Sequence, residues 1–116
     1  MIKKNKLIYK ICHKSEWEKA QNNGIFKGSS KDILDGYIHF SSKDQVRLTY
    51  EKYFLNQKDL IIIEVNAKIL NNLSWEKSRD DLLFPHLYSD LDINSVKKIY
   101  NIKIQKDSSC TFPDNF

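Results

Sequence analysis

Glycine, proline and cysteine are scarce in this chain, with 3, 2 and 2 residues among 116. Gly24, Gly28 and Gly36 are the complete set of glycines, so neither G-x-G-x-x-G nor G-x-x-x-x-G-K-[ST] can be written, which removes Rossmann and P-loop nucleotide sites. Cys12 and Cys110 are too few for a disulfide framework and lack the close pairing of a zinc site, so they read as reduced thiols. No local ligand spacing joins His13, His39 and His86, and no metal is expected. The longest apolar run is Leu60-Ile61-Ile62-Ile63, against the roughly 20 residues of a membrane helix, and no apolar signal segment follows the N-terminal lysines. A cytoplasmic protein without membrane contact is expected. The net charge of +4 is spread over lysines interleaved with Asp and Glu, which gives nucleic acid only weak support as a partner.

What is present is the composition of a folded chain, 41% hydrophobic and 29% charged, with 6 Tyr, 6 Phe and 2 Trp. The length suits one domain, placed at residues 1–106 with a polar, frayed tail at 107–116. Leu7 to Cys12 reads as a first strand from its β-branched and aromatic residues. A helix follows, with Ser15 and Glu18 spaced as a capping box and Gly24 as its stop. Gly28 to Gly36 reads as a surface loop, and Ser42 to Gln45 as a second capping box before a helical stripe of Val46, Tyr50, Tyr53 and Phe54. Leu60 to Val65 reads as a central strand and Leu73 to Lys77 as a shorter one. Ser78 to Pro85 reads as a connecting loop, because proline is excluded from central strands. Lys98 to Gln105 alternates as a half-buried strand. Regular βαβ alternation is missing, so the expected class is α+β, with a mostly antiparallel sheet and two helices near the N-terminus.

Three clusters carry candidate chemistry. In DGYIHFSS, residues 35 to 42, strand alternation puts Tyr37, His39 and Ser41 on one face and Ile38 and Phe40 on the other. Trp75-Glu76 supplies a carboxylate, and Phe84-Pro85-His86-Leu87-Tyr88 places His86 and Tyr88 on a shared face if extended. Two imidazoles, an acid, a serine and phenols make a set able to bind a polar ligand and move a proton. Taken singly, each histidine is more often a structural residue, and Glu76 a solvated one. Glu64, inside an apolar strand, must face solvent or hold a partner. A Cys12–His13 nucleophile pair fails, since strand neighbours point to opposite faces.

In order, the YKI strand at 9 to 11, Trp17, DGYIHFSS, Gln45, Trp75-Glu76 and FPHLY at 84 to 88 resemble a small bacterial family, domain of unknown function 952, from about Leu7 to Ile104. That family resembles the ADP-ribosyltransferases, and its IHFS motif is similar to the His-x-Ser strand of the RNA 2'-phosphotransferases. The resemblance implies a split antiparallel β core that holds NAD in its cleft, with no metal. It implies His39 bonding a ribose or phosphate oxygen beside Ser41, Tyr37 or Tyr88 stacking on a base, and His86 orienting a phosphate. Glu76, or alternatively Glu64, would be the acid that steadies an oxocarbenium-like transition state. The chain departs from the pattern at Ser89, where relatives carry Gly, and on the first strand, where Lys10 and His13 are the available cations. The alternative is a non-catalytic module holding nucleic acid or a phosphorylated partner. The oligomeric state is not readable from the sequence.

Overall fold

The protein is described by a computed structural model over residues 7–55, 57–78, 81–104 and 110–111; at 103–104 and 110–111 the description is of backbone alone. A four-stranded antiparallel sheet forms its frame, with spatial order β1 (Leu7–His13), β4 (Leu60–Asn66), β8 (Val96–Ile104) and β9 (Cys110–Thr111). A second sheet sets β6 (Leu83–Leu87) between β3 (Ile38–His39) and β5 (Leu73–Lys77), and a short pair joins β2 (Ile25–Phe26) to β7 (Leu91–Asp92). Every described strand pair is antiparallel. Among the described residues three α-helices lie in the first half of the chain: α1 (Lys14–Asn23), α2 (Ser30–Asp35) and α3 (Val46–Tyr53). The α+β class with antiparallel sheets therefore holds, with one helix more than expected.

Alternation along β4 explains why the frame sits at the centre. Ile61, Ile63 and Val65 enter one core with Ile8, Cys12, Trp17, Phe40 and Leu87, while Leu60 and Ile62 enter another with Tyr9, Ile11, Val46, Tyr50 and Tyr100. Each face of the frame thus carries its own cover, α3 on one side and α1 with the second sheet on the other. The two sheets meet where the chain leaves β3: Ser41 and Tyr9 exchange both backbone hydrogen bonds, at 2.7 and 2.8 Å.

Local physics accounts for the corrections. α1 starts two residues earlier than expected, because Glu16, not Glu18, accepts the His13 N–H at 2.9 Å. The Gly28–Gly36 segment is not a simple loop. Ser29 and Asp32 cap each other reciprocally, and six residues coil before Gly36 ends the helix with φ of 89°. At Ser42 half of the expected capping box forms, Gln45 Oε1 accepting the Ser42 N–H, and α3 begins one turn later with Tyr53 exposed. Pro85 lies in the middle strand of its sheet, contrary to expectation. Its carbonyl accepts from Phe40 N–H at 2.9 Å, and the donor it lacks falls on that same edge, where β3 has already run out. Cys12 is a free, buried thiol, its pKa pushed up to about 12 chiefly by burial, which leaves it unreactive. Within the expected tail, residues 110–111 pair with β8, and its other residues lie outside the described ones. Among the described residues no helix is long and apolar enough to cross a membrane.

Ile62→Ala, which empties a fully buried position between Ile11 and Tyr100, is expected to cost about 2–5 kcal/mol of unfolding free energy in urea titration. Ile99→Ala, at an exposed position on the neighbouring strand, is expected to cost less than about 1 kcal/mol.

Candidate functional site

A cavity of about 320 Å³ opens where α2, α3 and the two sheets converge. Phe40, Tyr53, Phe54 and Phe84 supply ring walls, and Lys10, Lys31, Asp32, Ser41 and Thr49 supply polar ones; all three histidines also line it. That volume is at the low end of small-molecule sites.

Its floor is an ionic network. Lys10 is in phase with Ile8 and Cys12 on β1 and is therefore buried, 7% exposed. A buried ammonium needs a counter-charge, and Asp32, 2% exposed, provides it at 2.9 Å; Lys10 Nζ also donates to the His39 carbonyl at 3.0 Å. The Asp32 carboxylate is fully employed. Oδ2 accepts from Lys10 and from the Ser29 N–H, while Oδ1 pairs with His39 Nδ1 at 2.5 Å and accepts the His39 N–H at 3.3 Å. Burial by itself would raise its pKa, but the bond to His39 and the charge of Lys10 outweigh it and hold the group well below the usual carboxylate range. Gly28 makes the room: with φ of 96°, a Cβ there would meet Asp32 Oδ2 at 2.6 Å.

The second imidazole is held differently. His86, on β6, pairs across to His39 on β3, their ring centroids 5.3 Å apart. Its Nδ1 lies 2.7 Å from Glu76 Oε1, which also accepts from Tyr88 Oη at 2.6 Å. Those two bonds hold Glu76 below its ordinary pKa, and the bond to Glu76 pushes the Tyr88 phenol up to about 12. In the neutral ring with Nδ1 donating to Glu76, the lone pair lies on Nε2. Tyr37 packs this array from the side, stacked on His86 at 4.2 Å and tilted against His39 at 4.6 Å and Tyr88 at 5.1 Å.

Of the residues singled out in the sequence, His39, Ser41 and His86 line the cavity, and Ser41 Oγ bonds Thr49 Oγ1 at 2.9 Å. Tyr37, Glu76 and Tyr88 join the same constellation from behind His86, outside the cavity lining. Glu64 stands apart, accepting from Tyr100 Oη at 2.9 Å in the core under α3. Sequence reasoning missed Asp32, Asp35 and Lys31, and weighed Lys10 as an insecure match. The legible signals were a lysine in phase with core residues and the Ser29-x-x-Asp32 cap spacing. Among the described residues no group of three or more His, Cys, Asp or Glu is arranged to hold a metal ion.

The family model described as "Protein of unknown function (DUF952)" matches residues 11–99. The chain belongs to this family. A solved member-sized relative is protein CC0527 from Caulobacter crescentus, whose crystal structure is 38% identical, covers 90% of this chain and 93% of that one, and superposes with a TM-score of 0.86. The solution NMR structure of CC0527, again 38% identical, covers 89% and 90% of the two chains with a TM-score of 0.79. No curated protein matches the chain. For this DUF952 protein the network makes a titration prediction. A carboxylate whose folded pKa is depressed stabilises the fold above its ordinary range, and that stability is lost as pH falls through and below about pH 4. Wild type is expected to lose stability steeply there, and Asp32→Asn, less stable at pH 7, is expected to show a shallower acid limb in urea midpoints against pH. Gly28→Ala is expected to destabilise the fold at neutral pH by displacing the same carboxylate, read in the same titration.

Proposed function

We propose that this protein is an intracellular, ADP-ribosyltransferase-like member of its family that binds NAD or a related nucleotide in the histidine-lined cavity. The observation that carries the reading is the pairing of two kinds of wall in one recess. Lys10, Lys31 and His39 offer charge and donors to phosphate or ribose oxygens, while Phe54, Phe84 and Tyr53 offer faces to a base. The cavity is nearer in scale to one nucleotide moiety than to a whole dinucleotide, so the remainder of NAD would extend along its mouth.

Transfer of ADP-ribose would break the bond from the nicotinamide nitrogen to ribose C1' and form one from C1' to an acceptor oxygen or nitrogen, whose proton must leave. His86 Nε2 is the group with the capacity to take that proton. Glu76 then works through His86, fixing its tautomer, as a positioning residue. A carboxylate in that role adds charge behind the imidazole as it becomes protonated.

A second reading, a binding module for nucleic acid or a phosphorylated partner, draws on the net charge of +4. Calorimetry with NAD and ADP-ribose separates the two. Saturable heat that survives moderate salt and drops about tenfold or more in affinity with His39→Ala, the scale of a lost charged hydrogen bond, is expected. Absence of heat with wild type, or affinity unaffected by His39→Ala, removes the nucleotide reading. Binding to RNA that collapses as salt rises and ignores both histidines favours the module.

A further inference from the structure

Asp35 stands in a place that helix physics disfavours. It is the last residue of α2, where the exposed carbonyl ends oppose a negative charge, and no basic residue lies in that final turn. Two nitrogen groups hold it there. Lys31 Nζ and His39 Nε2 lie 3.1 and 3.2 Å from one and the same oxygen, Asp35 Oδ2. His39 Nδ1 is already paired with Asp32, so both ring nitrogens lie beside carboxylates, an arrangement in which both donate only as the imidazolium. Lys31 and His39 line the cavity, and Asp35 does not. The carboxylate is thus held by two residues that also line the recess.

We propose that Lys31 Nζ and His39 Nε2 form an anion subsite for a phosphate or pyrophosphate group, in which the Asp35 carboxylate is an internal occupant that the ligand displaces. The Lys31–Asp35 pair is a solvent-exposed i,i+4 contact, with Lys31 66% exposed, so breaking it costs little. Once Asp35 turns outward, the carboxylates still lining the recess are Asp32, already paired with Lys10 and His39, and Glu16, which accepts the His13 N–H. A phosphate brings more charge and more acceptor oxygens than a carboxylate and can take both donors at once. The Asp32 contact keeps the imidazole aimed while the exchange occurs. The proposal deepens the nucleotide reading by giving the ligand's phosphate a position, and it rests on that reading only for the nucleoside part.

Inorganic pyrophosphate, NAD and nicotinamide riboside, titrated calorimetrically at fixed ionic strength into wild type, Asp35→Asn and Lys31→Ala, test it. Asp35→Asn is expected to tighten pyrophosphate about tenfold and Lys31→Ala to weaken it about threefold, the sizes of one removed like-charge and one removed opposite-charge contact at a half-exposed site. Both positions are exposed, so the variants should fold, and circular dichroism checks this. Pyrophosphate affinity that is unchanged or weaker in Asp35→Asn overturns the subsite, even if NAD binds and the nucleotide reading stands. Tighter pyrophosphate in Asp35→Asn with no binding of NAD supports the subsite and removes the nucleotide reading.

Discussion

The contact between Lys10 and Asp32 is the constraint around which the rest of the site is arranged. β1 delivers an ammonium into a face otherwise filled by Ile8 and Cys12, and the chain must bring a carboxylate to it or leave a charge buried alone. That requirement fixes where α2 docks. Ser29 caps the helix whose third residue is Asp32, Gly28 yields the space, and the His39 backbone and ring both close on Asp32 Oδ1. One buried pair thus sets the register of α2 against β3 and aims an imidazole at the cavity. Buried ion pairs contribute little net stability compared with apolar packing, so the value of this one lies in the single geometry it imposes.

The two imidazoles are held differently. His39 lies between Asp32 and Asp35, with a carboxylate beside each ring nitrogen, whereas His86 has one carboxylate, Glu76, at Nδ1. The two rings stand opposite each other on paired strands, their centroids 5.3 Å apart. Tyr37 enforces that placement mechanically, packed against both rings so that neither can rotate freely. The fold thus turns a backbone register, His39 opposite His86, into a chemical pairing.

Much of this was legible from the residues. Strong period-2 or continuously apolar segments declared themselves, and Leu73–Lys77 coincides with its expected bounds, because local pattern and sheet geometry agree there. The alternation of Tyr37, His39 and Ser41 against Ile38 and Phe40 also survives, although only two residues there form ladder pairs. α2 stayed hidden for a physical reason: its apolar residues Ile33 and Leu34 are 63% and 86% exposed, so it has no buried stripe to betray it. Pro85 misled because the rule against central prolines assumes a full-length neighbour on the donor side, and β3 ends too soon to be one. Asp32 was legible only as a cap spacing after Ser29; its ionic role depends on Lys10, which lies more than twenty residues away in sequence.

The interdependence of Lys10 and Asp32 is open to direct measurement by a double-mutant cycle on unfolding free energy, using Lys10→Met, Asp32→Asn and the pair together. Each single change should cost about 3–5 kcal/mol by stranding a buried charge or its partner, and the double variant should recover more than about 1 kcal/mol of the combined loss. Losses that simply add, to within about 0.5 kcal/mol, would contradict the account, because the two groups would then be independent and nothing would tie α2 and His39 to the frame.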